Sequence, residues 1–172
     1  MKNSNRSNHN EAILNFAQKV TSILQHNLGK NLIATCLFGS AVKKNLRKGS
    51  DIDILTICKT LPKSYHKRTK IILPLLETIR NTKEYKNIEK LNLYLEPSFL
   101  ILSVRESENH PPILIDISQE GIILYDHNNF LRKYLQKIKD RLKRIGAVKK
   151  IVPGGYYWIL KPDIKVGEVF EL

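Results

Sequence analysis

The sequence predicts a mixed α/β (α+β) fold in which a small mixed sheet is flanked by helices. Three observations predict it. Apolar residues recur at helical spacing in several segments, short apolar or β-branched runs lie between those segments, and no strand is followed by a Gly-rich dinucleotide fingerprint. The 172 residues have room for one domain, and a hydrophobic content of 42% suffices for a packed core.

The first ten residues, MKNSNRSNHN, are polar and rich in Asn and Ser, and they read as a disordered tail over 1–10. From Asn10 the positions Ile13, Phe16, Ala17, Val20, Ile23, Leu24 and Leu28 keep helical spacing, with Asn10 as N-cap and Gly29 as stop. Leu32 to Phe38 is an unbroken apolar run ending at Gly39, the pattern of a buried strand. Asp51 to Cys58 alternates and is β-branched, which predicts a second strand. Ser64 to about Asn81 reads as a helix through Ile72, Leu75, Leu76 and Ile79, with Pro74 a kink or its true start. A third strand is predicted over Leu91–Leu102, with Glu96 on its polar face.

Asn109 to Pro112 resembles a helix entry leading through Ile113, Leu114 and Ile117 to Gly121. Ile122 to Tyr125 is a short strand. Phe130 to Ile145 carries the clearest helical stripe, ended by Gly146. Tyr156–Leu160 and Glu168–Leu172 are expected to pair as a hairpin around Lys-Pro-Asp. These elements divide the chain into the tail, a core unit over 11–128 and a helix-plus-hairpin extension over 129–172 packed on that unit.

No leader-like apolar segment and no stretch of the roughly 18–20 apolar residues that cross a bilayer occurs, so a cytoplasmic protein with no membrane partner is expected. Cys36 and Cys58 each sit in an apolar run and read as small buried thiols. The five histidines are scattered and form no metal-ligand spacing. A formal charge of +13, from 29 basic and 16 acidic residues, is compatible with nucleic acid, a nucleoside triphosphate, an acidic protein surface or a solvated shell.

The chemistry is concentrated between residues 37 and 57. Asp51 and Asp53 stand two apart on a strand and share a face. At about 6–7 Å and an effective dielectric near 20, such carboxylates repel by about 2–3 kcal/mol. Joint ligation of a divalent cation would explain the pair, and so would a solvent-facing strand start. Gly39-Ser40 follows a buried strand, where backbone N–H groups and a hydroxyl can be offered to a phosphate, although a plain turn has the same composition. The order of apolar strand, Gly-Ser, ten residues, Asp-Ile-Asp and apolar strand is much more specific than either part.

The stretch LFGSAVKKNLRKGSDIDILTI resembles the signature of the DNA polymerase beta-type nucleotidyltransferase superfamily, in its minimal (MNT) branch. The resemblance covers roughly residues 10 to 128. It implies a Mg²⁺-dependent enzyme that transfers a nucleoside monophosphate, AMP foremost, from ATP or another nucleoside triphosphate. Gly39 and Ser40 would hold the triphosphate, and Asp51 and Asp53 would bind one of two Mg²⁺ ions. Where relatives often have Ala-Arg-Gly, this chain has Val42, Lys43 and Lys44. Lys43 would then replace an arginine at the phosphates without the bidentate fork, with Lys44 or Arg47 in support. The pattern also implies a third carboxylate, for which Glu96 is favoured and Asp116 is the rival. The ending, with ILYD and YYWILKPD, is similar to C-terminal extensions of archaeal members and carries no catalytic motif.

Between Asn129 and Lys150 stand nine basic residues and one acid, Asp140. That basic helix could face RNA, a protein partner or only solvent. The resemblance extends to the antitoxin half of HEPN/MNT pairs, which implies a HEPN-type protein as acceptor. The same chemistry on RNA or a small molecule, and a non-catalytic binding module on this scaffold, are the alternatives.

Overall fold

A computed structural model describes residues 2–43, 49–90, 95–109, 111–165 and 167–169, with side chains from Asn8 onward. Helix α1 (Lys2–Leu28) leads into strand β1 (Leu32–Phe38), a short 3-10 turn over Gly39–Ala41 and strand β2 (Asp51–Cys58). Helices α2 (Tyr65–Arg80) and α3 (Lys83–Glu89) precede β3 (Glu96–Ser103). Then come α4 (Val104–Glu108), α5 (Ile113–Glu120), β4 (Ile122–Asp126), α6 (Phe130–Arg144) and the strands β5 (Val148–Val152) and β6 (Gly155–Ile159).

Four strands form one sheet in the order β3-β2-β1-β4. β1 runs antiparallel to β2 and β4, whereas β2 and β3 are parallel in a register that sets Asp51 against Glu96 and Asp53 against Ser98. Each face carries its own apolar layer. Ile52 and Ile54 meet Phe16, Val20 and Leu24 of α1 with Ile79 and Ile88 of α2 and α3; Leu55 and Ile57 meet Leu114 and Ile117 of α5 with Leu131 and Leu135 of α6. Alternation along β2 therefore sends Asp51 and Asp53 to the face covered by α5 and α6.

Several expectations are corrected. Residues 2–10 continue α1 rather than forming a tail, and Asn10 is not its cap. No Gly or Pro interrupts that stretch, so the packed turns from Ile13 to Leu24 propagate backwards at little cost. Pro74 lies inside α2 without ending it, because burial of Ile72, Leu75 and Ile79 offsets the about 3 kcal/mol that a helical proline costs. The third strand starts at Glu96; Leu91 to Tyr94 of the expected run lie outside the described residues. Helices α3 and α4 were not expected, being too short for a periodic stripe. Their caps are local: Tyr85 N–H donates to Thr82 Oγ1 at 3.2 Å, and Ser103 and Glu106 form a reciprocal capping box.

The terminal hairpin is also re-paired. β6 coincides with the expected Tyr156 arm, but its partner is Val148–Val152 through Pro153-Gly154, with Val152 opposite Gly155. Gly154 at φ +89° after a proline suits a tight turn, which outcompetes closure of the longer loop around Lys-Pro-Asp. Most of the other expected arm, Phe170 to Leu172, lies outside the described residues. No helix among the described residues is long and apolar enough to cross a membrane.

Candidate active site

The end of β1 meets the start of β2, with Phe38 paired to Asp53. Here the chain must turn without a side chain. Gly39 has φ +74°, and a Cβ built on it would collide with Asp53 Oδ2. The 3-10 turn that follows is closed by Lys43 N–H donating to Gly39 O at 3.3 Å, and Ser40 Oγ–H donates to the Asp51 carbonyl at 3.4 Å. The glycine-serine bend is thus latched to the acidic strand. Lys44 and Arg47 lie outside the described residues.

Asp51 is exposed and Asp53 half-buried. Burial is the main cause that holds the Asp53 carboxyl above its ordinary range; a hydrogen bond with Ser98 opposes this, and the Asp51 charge adds to it. Such a pair is short of positive charge, and its hard oxygen atoms suit a divalent cation such as Mg²⁺.

Glu96 is aligned with Asp51 in register, but its carboxylate accepts from Arg80 Nη2 at 3.1 Å and Tyr85 Oη at 2.9 Å. Ser98, which the sequence reading did not single out, is the residue of β3 that meets Asp53. Among the described residues no cluster of three or more His, Cys, Asp or Glu side chains forms that could hold a metal.

Asp116 approaches the centre from α5. A cavity of about 170 Å³ is lined by Gly39, Lys43 and Asp53 on the sheet side and by Asp116, Glu120 and Tyr156 on the other. Lys43 does not point freely into it. Its Nζ donates to Tyr156 Oη at 2.9 Å and lies 3.6 Å from Glu120. Burial alone would lower the Lys43 pKa, but the Tyr156 hydrogen bond and the nearby carboxylates outweigh it and raise the value. Tyr156 Oη–H in turn donates to Asp116 Oδ2 at 2.7 Å, and Trp158 Nε1–H donates to Asp116 Oδ1 at 3.1 Å. The hairpin is therefore a wall of the cavity. Sequence offered only a weak signal for this, the Tyr-Tyr-Trp cluster, whose aromatics carry polar tips that seek partners when buried.

The family description "Polymerase beta, Nucleotidyltransferase" matches residues 18–130, most of the chain and all of the geometry around Gly39, Asp51 and Asp53. The chain belongs to this nucleotidyltransferase family. A putative protein adenylyltransferase, MJ1305 of Methanocaldococcus jannaschii, is 34% identical to this nucleotidyltransferase over 140 residues, 81% of this chain and 86% of the relative. Spectinomycin 9-adenylyltransferase of Enterococcus faecalis is 36% identical over 137 residues, 74% of this chain but only 51% of that longer protein. A solved toxin-antitoxin structure with AMP-PNP aligns with a TM-score of 0.49 at 16% identity, covering 73% of this chain and 86% of that one. The polymerase beta-type family named from the sequence agrees with the family match, and the nucleotidyltransferase carries the mixed sheet and flanking helices expected of its fold.

Proposed function

We propose that this nucleotidyltransferase moves AMP from ATP onto a protein acceptor, using Mg²⁺ held by Asp51 and Asp53. The observation that carries the reading is the close approach of the Gly39 bend to the Asp53 carboxylate, which supports a turn that grips phosphate beside a pair of acids that holds a cation. Held there by Asp51 and Asp53, Mg²⁺ would supply charge neutralisation at the phosphates. The chain's own groups do the rest. The backbone and hydroxyl of Gly39-Ser40 grip the triphosphate, and Lys43, once released from Tyr156, adds a point charge to it.

Of the two candidate third acids, Asp116 is favoured over Glu96. It lines the cavity with Asp53, its carboxylate held there by Tyr156 and Trp158, whereas Glu96 is held by Arg80 of α2 and Tyr85 of α3. Asp116 can accept a proton from a hydroxyl at that point, as it already accepts the Tyr156 hydrogen bond. A protein acceptor is supported by the named activity of the M. jannaschii relative, and the sequence resemblance to the antitoxin half of HEPN/MNT pairs makes a HEPN-type protein the acceptor to try first.

The test is incubation of the protein with each α-labelled nucleoside triphosphate, Mg²⁺ and a lysate of the source organism. ATP-derived label on a protein band is expected, falling by at least about 100-fold in Asp51→Ala and Asp53→Ala. Label on RNA or a small molecule instead would replace the acceptor assignment, and undiminished labelling in both variants would refute the assigned metal pair.

A further inference from the structure

The proposed transfer uses Asp53, Gly39 and Asp116 but leaves the phenol between them without a role. Tyr156 projects from the C-terminal hairpin into the 170 Å³ cavity, several times the ~30 Å³ that a water occupies in the liquid. Its hydroxyl and Asp53 thus line one cavity, the space that a phosphoryl group passing between them would occupy. The hydroxyl is prepared as a nucleophile would be. Its proton lies on a 2.7 Å hydrogen bond to Asp116 Oδ2, and its oxygen accepts from Lys43 Nζ at 2.9 Å.

Docking of the hairpin does not require this hydroxyl. Trp158 Nε1 already reaches Asp116, and Lys149 Nζ lies 3.0 Å from Glu120 and 3.9 Å from Asp116. The surroundings also suit a product with extra negative charge. Lys149 Nζ lies 3.9 Å and Lys43 Nζ 4.3 Å from the centre of the Tyr156 ring, so two ammonium groups stand beside this phenol, each also near the Glu120 carboxylate.

We propose that Tyr156 is a self-modification site: the chain transfers a nucleoside monophosphate from a nucleoside triphosphate onto its own Tyr156 hydroxyl. Tyr156 Oη forms a bond to the α-phosphorus. The bond from that phosphorus to the oxygen bridging the β-phosphate breaks, and pyrophosphate leaves with the electron pair. The phenolic proton passes to Asp116, leaving a tyrosyl phosphodiester, and no oxidant or reductant is needed. Once modified, the Tyr156 oxygen carries no proton, so its hydrogen bond to Asp116 is lost. This inference rests on the nucleotidyl-transfer reading above.

Purified full-length protein is incubated with ATP, GTP, CTP or UTP and Mg²⁺, and in parallel with lysate added; intact mass and peptide mapping then locate the adduct. One nucleoside monophosphate per chain is expected, on the peptide holding Tyr156, at a rate per chain independent of protein concentration. Tyr156→Phe should lose at least about 10-fold of this label, while Tyr157→Phe, altered on the outward face of the same strand, keeps it. Asp116→Asn should slow labelling by about 100-fold. Mapping of the unmodified sequence decides the matter even if Tyr156→Phe folds poorly. Label placed on another residue of this chain, or on lysate acceptors with none on Tyr156, overturns the proposal and leaves nucleotidyl transfer standing. Absence of label from every species, own chain and lysate alike, sinks both.

Discussion

Gly39 and Asp53 constrain each other. The backbone at Gly39 is left-handed and its missing side chain is the space that the Asp53 carboxylate occupies. Gly39→Ala adds both a strained φ and a steric conflict, and the carboxylate must turn away. A displacement of about 1 Å at such a centre costs about 100-fold, so kcat/KM should fall by that factor, measurable by pyrophosphate release, and the strained backbone should lower the melting temperature by about 2–4 °C per kcal/mol of strain. Asp53 has an opposite signature in stability. Its proton is held more tightly in the folded than in the unfolded chain, so its contribution favours folding at low pH and is lost as pH rises through its raised pKa. Asp53→Asn should therefore raise the metal-free melting temperature at neutral pH, by about 2–4 °C for each kcal/mol relieved, and abolish any further rise on adding Mg²⁺; a lower melting temperature would contradict this. Cys36 and Cys58 are buried, and their thiols are pushed up to about 12 and about 11, chiefly by desolvation, consistent with inert core residues.

Among the elements, α4 shows how a short helix is held by electrostatics rather than by a stripe. Glu106 receives Arg68 through two bonds of 2.7 and 3.1 Å and the Ser103 N–H at 2.9 Å. The arginine first, and the backbone donor next, bring its carboxyl down to about 2 from an ordinary 4.5. The sign follows: this stabilisation is complete above pH 4.5 and disappears as pH falls toward 2. Glu106→Gln should flatten the acid limb of a stability-versus-pH curve in that window and lower stability at pH 7 by about 1 kcal/mol, a value discounted for partial exposure. The element that most changes the chemistry is the β5–β6 hairpin. A turn at Pro153-Gly154 decides its pairing, and the pairing puts Tyr156 and Trp158 on the side facing α5.

Across the molecule, charge is distributed unevenly. α6 buries Leu131, Tyr134, Leu135, Ile138 and Leu142 against α5 and the sheet, leaving Arg132, Lys133, Lys137, Lys139, Lys143 and Arg144 exposed on the outside. Such a face accelerates encounter with an acidic partner more than it tightens the final complex. Replacement of Lys133, Lys137 and Lys143 by Glu should thus raise the KM for a protein acceptor by about 10-fold at low salt, with the difference shrinking near 1 M salt, and leave pyrophosphate release without acceptor unchanged. An unchanged KM would remove α6 from the acceptor path.

How far the sequence could be read depended on whether an element is specified by its own residues. The two helices with long stripes, the strands from Leu32 and Asp51, the bend at Gly39-Ser40 and the paired acids were all legible, because period, turn chemistry and spacing are local properties and the polymerase beta pattern is contained in one stretch. The short helices α3 and α4 were not, since each depends on a cap and a neighbouring surface rather than on a stripe of its own. Long-range placement separated the candidate acids: Glu96 passes to Arg80 and Tyr85, Ser98 meets Asp53, and Asp116 faces the cavity from α5. Tyr156 stands 113 positions beyond Lys43, yet their side chains share a hydrogen bond. No periodicity along the chain encodes that meeting; it arises only when two apolar layers close on opposite faces of the sheet and carry the hairpin across α5.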